Sequence, residues 1–212
     1  MTFASREDAG RRLGDYLRAE GVEADWVAGL PRGGVIVAAE VARVLQRPLD
    51  LLIVRKIGHP MHREFAVGAI AEDGVIILDE ESLGPSVSIR RALEEIIAEE
   101  AGRLHQYQAR FRPGARPDFS GKRVLLVDDG LATGATIEAA ALSVRKQNAA
   151  AIIVAAPVAS ASAVERLHRV ADDVKVLLVD SDFDAVGRYY ATFSQTTDEE
   201  VLNVLRQAQV GQ

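Results

Sequence analysis

V-L-L-V-D-D-G-L-A-T-G-A-T, Val124 to Thr136, followed directly by I-E-A-A-A-L-S-V-R-K, is the stretch that decides the fold. Its order is apolar strand, acidic pair, loop of small residues, helix. A loop built from Ala132, Thr133, Gly134, Ala135 and Thr136 leaves its backbone N–H groups unobstructed. The start of the following helix adds unpaired donors and a positive dipole end, so the loop is suited to a phosphate. Thr133 and Thr136 add hydroxyl donors, and Gly134 permits a backbone geometry that a side chain would resist. Asp128 and Asp129, at the strand tip, are placed to accept hydrogen bonds from vicinal hydroxyls. A sugar carrying a terminal phosphate would satisfy both halves of the motif.

Outward from this unit the pattern repeats. Short apolar runs occur at Trp26 to Leu30, Leu49 to Val54, Val75 to Leu78, Ala151 to Ala156 and Val176 to Val179, each of strand length. Helical spacing fills Val35 to Leu45 and Ile137 to Val144. Continuous apolar strands alternating with helices imply an α/β fold, a parallel sheet covered on both faces. Ligands of such sheets bind beyond the carboxyl ends of the strands. Ser86 to Phe111 reads as a long amphipathic helix, ended by the R-P-G-A-R-P run from Arg112 to Pro117, and residues 80–120 are taken as an insertion into the core. A last short helix is expected after Val201, and residues 1–212 are read as a single domain.

Composition narrows the functional classes. The chain has 48% hydrophobic and 26% charged residues, as soluble globular domains do, and its net charge of −6 offers no basic field for nucleic acid. No apolar run approaches the roughly 18 residues that span a bilayer, and the start lacks a signal-peptide hydrophobic region, so a cytoplasmic protein with no membrane partner is expected. With no cysteine in the chain, thiol nucleophiles and thiolate zinc sites are excluded. A homodimer is left open.

The Val124 to Thr136 stretch resembles the 5-phosphoribosyl-1-pyrophosphate signature of type I phosphoribosyltransferases, here in a stand-alone domain of bacterial type. The resemblance implies that Asp128 and Asp129 hold the ribose 2′- and 3′-hydroxyls and that Ala132, Thr133, Gly134, Ala135 and Thr136 cradle the 5′-phosphate. Neither G-x-x-x-x-G-K-[ST] nor G-x-G-x-x-G occurs, so other phosphate loops lack their fingerprints.

Two further segments fit the same family. L-P-R-G-G-V, Leu30 to Val35, sits where its members bind pyrophosphate, often with a non-proline cis peptide, which marks Arg32, Gly33 and Gly34 as a second anion site. Taken alone, P-R-G-G is equally a plain turn. Val54 to Gly74 crowds Arg55, Lys56, His59, His62 and Arg63 together with the breakers Gly58 and Pro60, and is expected as a mobile loop. By resemblance it would close over the reaction centre, with Arg55 and Lys56 acting on the leaving pyrophosphate. His59 and His62 lack a carboxylate or cysteine partner, so no protein metal site is assigned to them, and magnesium would be carried by the substrate.

The family's hood, which selects the acceptor, would come from residues before Trp26, from 157–200 and from the stretch beginning at Gln195. V-D-S-D-F-D, Val179 to Asp184, completes neither a calcium loop nor a phosphatase motif and reads as a solvated turn. Phosphoribosyl transfer to a nitrogen acceptor is the expected reaction. The alternatives are a non-catalytic regulator that binds the same ligand and a hydrolase working through Asp180 and Asp182.

Overall fold

The computed structural model describes residues 2–112 and 117–210. In chain order the elements are α1 (Arg6–Ala19), β1 (Trp26–Gly29), α2 (Gly33–Leu45), β2 (Leu49–Leu51), β3 (Val54–His59), β4 (His62–Ala71), β5 (Ile76–Leu78), α3 (Glu80–Leu83), α4 (Val87–Phe111), β6 (Arg123–Val127), α5 (Ala135–Lys146), β7 (Ala151–Ser160), α6 (Ala161–Leu167), β8 (Asp173–Asp180) and α7 (Asp198–Val210). A 3₁₀ turn, Val186–Tyr189, links β8 to the segment before α7.

Five strands pair in parallel in the order β2-β1-β6-β7-β8. Successive strand residues point to opposite faces, and the core divides accordingly. Val27, Leu125 and Val127 pack with Leu13 and Leu17 of α1 and Val37 and Val41 of α2. Ala28, Val124 and Leu126 pack with Ile137, Ala140 and Val144 of α5 on the other side. Each such leucine, isoleucine or valine contributes about 1.5–3 kcal/mol by leaving water. That is why these strands read as unbroken apolar runs.

Helix α1 goes beyond the sequence reading. Ser5 accepts the Asp8 amide at its start, and Glu7 and Asp8 lie in its first turn, where acids complement the helix dipole. Gly10 and Gly14 let it lie directly on α2, since a methyl at Gly10 would come within 2.7 Å of the Val37 carbonyl oxygen.

The expected loop at Val54 to Gly74 is instead an antiparallel hairpin, β3 with β4, extended by β5 into a small second sheet. Pro60 sits in the turn between the strands, where it removes no ladder bond. Gly58 lies at a register shift, where a methyl would meet the Arg63 carbonyl oxygen at 2.3 Å. The expected single strand from Leu49 to Val54 is likewise divided, because the chain leaves the parallel sheet after Leu51 and starts the hairpin at Val54. Helix α4 covers the hairpin, burying Leu93, Ile96 and Leu104 against Ile57 and Val67. It ends at Phe111 as its spacing predicts. Of the R-P-G-A-R-P run, residues 113–116 lie outside the described residues. Among the described residues no helix is long and apolar enough to cross a membrane.

Candidate functional site

The two glycine- and acid-bearing loops lie side by side because β1 and β6 are neighbours, with Gly29 opposite Val127. Beyond Val127, Asp128 and Asp129 leave the carboxyl end of the central strand. Beyond Gly29, the chain turns through Pro31 and Arg32, whose peptide bond is cis, into α2. The fit between the loops is at contact distance. A methyl on Gly33 would lie 2.0 Å from the Asp129 carboxylate, and one on Gly34 would lie 2.7 Å from that of Asp128. Only residues without a side chain let the start of α2 approach both acids.

Asp128 accepts the Asp129 amide at 2.8 Å, and Asp129 accepts Nε of Arg6 at 2.7 Å. Burial pushes the pKa of Asp128 well above the carboxylate range, and the charge of Asp129 pushes it further. Asp129 is raised by burial too, against the opposing pull of Arg6 and Lys56. Two carboxylates forced together in a desolvated place favour a shared proton, a cation or hydroxyl donors.

The phosphate-type loop takes the form its sequence predicts. Gly134 is left-handed at φ 73° and stands as the N-cap of α5 without a side chain of its own, while the Ala135 amide donates to Thr133 Oγ1 at 3.4 Å. Ser160 donates to the Ala132 carbonyl at 2.6 Å, tying the loop to the end of β7. Ala132 and Thr133 are exposed, Ala135 and Thr136 half-buried.

Arg55 and Lys56 have different surroundings. As consecutive residues of β3 they face opposite ways. Arg55 binds the buried Glu100 of α4 at 2.8 Å and lies over the Tyr107 ring. Lys56 is exposed, and its charge bears on both Asp128 and Asp129. Arg32 lies 3.6 Å from Asp198 at the start of α7, and Asp198 also binds Arg110 at 2.7 Å. His59 and His62 stack at the hairpin tip, and Arg63 pairs with Glu99. Asp180 accepts the Tyr189 hydroxyl at 2.6 Å and the Asp182 amide at 2.9 Å, closing the V-D-S-D-F-D segment into a turn.

Three residues beside the acid pair lie in the segments expected to form the hood but are not singled out by the sequence reading. Arg6 reaches Asp129 from α1. Tyr190 donates to the Asp129 carbonyl at 2.6 Å, and Phe193 lies under the Arg6 guanidinium at 3.9 Å. A local signal for α1 exists in Ser5-Arg6-Glu7-Asp8, a serine cap with an acid three residues on.

The model of the phosphoribosyl transferase domain family matches residues 5–191. A protein of Mycobacterium tuberculosis H37Rv, named as a phosphoribosyl transferase without firm assignment, is 41% identical over 207 residues, 97% of this chain and 47% of that protein. The chain thus spans about half the length of the curated relatives it matches. The crystal structure of TT1426 from Thermus thermophilus superposes with a TM-score of 0.79 at 44% identity, covering 98% of this chain and 99% of that one. A hypothetical protein from Neisseria gonorrhoeae, crystallised with bound ppGpp, shares the fold with a TM-score of 0.51 at 15% identity, covering 100% and 99% of the two chains.

Proposed function

We propose that this chain, which belongs to the phosphoribosyl transferase domain family, binds 5-phosphoribosyl-1-pyrophosphate and transfers its phosphoribosyl group to a nitrogen acceptor, a nucleobase or similar amine. The C1–oxygen bond to pyrophosphate breaks, the C1–nitrogen bond forms, and the acceptor nitrogen gives up a proton. The supporting observation is the acid pair at the tip of β6, pressed against Gly33 and Gly34 and under the influence of Lys56.

In this reading Asp128 and Asp129 accept the ribose hydroxyls and fix the ring. Ala132 to Thr136 receive the 5′-phosphate, and Arg32, Gly33 and Gly34 receive pyrophosphate. Lys56 stabilises charge on the departing group, so the work of the protein is positional and electrostatic. Magnesium fits the same place. The described residues hold no group of three or more His, Cys, Asp or Glu side chains that could cage a metal, and one or two carboxylates completed by phosphate oxygens are what this ion takes. Asp128 and Asp129 would face it, and when bound it would neutralise pyrophosphate charge.

The same reading takes residues 1–212 as one domain, with 80–120 as an insertion and the terminal segments as the hood. The pairing of Phe3 with Tyr190 beside the acids supports that role for the termini. A second reading, a regulator that binds the donor without turning it over, is favoured by Arg55, which Glu100 holds in place of a leaving group. Pyrophosphate release decides between them, measured with the donor, magnesium and a panel of nucleobases and amines. Release with any acceptor supports the transferase. Donor binding without release across the panel supports the regulator, and failure to bind the donor overturns both.

A further inference from the structure

We propose that Arg6 is a gate on the donor site, which binds the ribose only when this arginine gives up Asp129. The inference rests on reading Asp129 as a ribose-hydroxyl acceptor. Nε of Arg6 already occupies one of the two carboxylate oxygens, Oδ2, at 2.7 Å. The space around it is filled. A methyl on Gly33 would strike Asp129 Oδ2 at 2.0 Å and Arg6 Nε at 2.6 Å, so the turn before α2, the guanidinium and the carboxylate are in mutual contact. Both charged side chains are largely withdrawn from water, at 11% and 16% exposure, so their attraction is little screened.

Arg6 belongs to a clasp that grips Asp129 twice. Nη1 of Arg6 donates to the Ser194 carbonyl at 2.7 Å, and its guanidinium lies on Phe193. The same two segments are joined by backbone bonds, Phe3 amide to Tyr189 carbonyl, Ala191 amide to Phe3 carbonyl and Thr192 amide to Ala4 carbonyl. Tyr190, in the middle of this ladder, donates to the Asp129 carbonyl. Arg6 therefore cannot leave Asp129 without disturbing the chain around Phe193 and Ser194, and a ligand that displaces it loosens the clasp. The terminal segments report occupancy of the ribose position.

A binding site that is open for only a fraction of the time loses apparent affinity in proportion to that fraction. If Arg6 rests on Asp129 for about nine-tenths of the time, removing it gains about tenfold. Calorimetry with Arg6→Ala should show 5-phosphoribosyl-1-pyrophosphate and ribose 5-phosphate binding about tenfold more tightly, with inorganic pyrophosphate unchanged because it makes no claim on Asp129. Unchanged or weaker binding of the two ribose ligands overturns the gate. Weaker binding of pyrophosphate overturns it as well, since Arg6 would then be an anion ligand.

Two measurements stand if Arg6→Ala does not fold. Phe193→Leu, which removes the platform under the guanidinium and leaves the acids untouched, should give a gain of a few-fold for the ribose ligands only, and no gain overturns the proposal. In the unaltered protein, the amides of Ala191 and Thr192 should exchange faster with deuterium when donor is bound, and equal or slower exchange overturns it. Failure of the donor reading looks different: the unaltered protein would bind neither ribose ligand.

Discussion

Adding one methyl at Gly34 or at Gly33 tests the contact between the two loops, and the structure predicts different consequences at the two positions. At Gly34 the methyl would lie 2.9 Å from the Asp128 Cα and 3.0 Å from the Val127 carbonyl oxygen, both main-chain atoms of the central strand, besides the Asp128 carboxylate at 2.7 Å. Main chain held in a parallel sheet cannot rotate aside, so the two loops must separate. Overpacking of this kind costs about 1–3 kcal/mol. For a chain of this length that is a fall in melting temperature of about 2–12 °C. At Gly33 the methyl meets side-chain ends, Asp129 Oδ2 at 2.0 Å and Arg6 Nε at 2.6 Å, which can swing away. The Asp129 carboxylate, whose Cγ lies at 2.8 Å, is then pushed from the place where a ribose hydroxyl would meet it, and a hydrogen bond to a charged group is worth about 1.5–3 kcal/mol. Calorimetric melting and donor titration of Gly34→Ala and Gly33→Ala separate these effects. Gly34→Ala should lose stability first, while Gly33→Ala should lose donor affinity by tenfold or more. A Gly34→Ala protein that melts within a degree of the parent, or a Gly33→Ala protein that keeps its donor affinity, would refute the argument from close approach.

Other changes have equally definite directions. Burial and mutual charge raise the pKa of both Asp128 and Asp129, so the folded chain binds these protons more tightly than the unfolded one. Stability from the pair therefore increases as pH falls from the raised values toward the ordinary carboxylate range near 4, while donor affinity decreases over the same window. Asp128→Asn should accordingly raise the melting temperature at neutral pH and weaken donor binding, and a variant that melts below the parent at pH 7 contradicts this. Lys56→Ala, at an exposed position, should change stability by no more than about 0.5 kcal/mol. In steady-state assays with a productive acceptor its turnover should fall about tenfold or more, or about 1.4 kcal/mol, with donor affinity nearly intact. Loss of affinity with turnover retained would make Lys56 a static binding residue. Gly134→Ala forces a side chain onto φ 73° and should cost about 1–2 kcal/mol in denaturant unfolding, with weaker binding of ribose 5-phosphate. An unchanged midpoint would remove the strain argument.

What the sequence makes legible depends on whether the cause is local. β1, β6, α2 and α5 can be read because buried parallel strands are continuous apolar runs and the turns between them carry glycine or acids. The hairpin is hidden because Pro60 and Gly58 read as breakers. Both occupy places where a hairpin accepts them, a turn and a register shift. Once the strand is recognised, its alternation parts Arg55 from Lys56 at once. Arg6 carries no such signal. Its partner Asp129 is 123 residues away, and nothing near residue 6 says that α1 comes to rest against the end of β6. Tyr190 and Phe193 are the same case, since their value lies in meeting Arg6 and Asp129.

On the proposed donor reading, the placement of the acid pair is a compromise between stability and binding. Two adjacent carboxylates withdrawn from water destabilise the fold, and hydrophobic residues at the strand tip would be the more stable choice. The chain keeps them and answers their charge in three ways. Arg6 binds one directly, Lys56 acts on both from an exposed position, and Gly33 and Gly34 bring the amino end of α2 against them. On the proposed donor reading, the first occupies an Asp129 oxygen that a ribose hydroxyl could use, whereas the other two leave the carboxylates accessible. On that reading, losing Lys56 costs turnover and filling the glycine contact costs binding, whereas removing Arg6 frees the site. If the donor binds as proposed, the same interaction that makes the pair tolerable is the one its ribose would displace, and part of its binding energy would be spent against the stability of the terminal clasp.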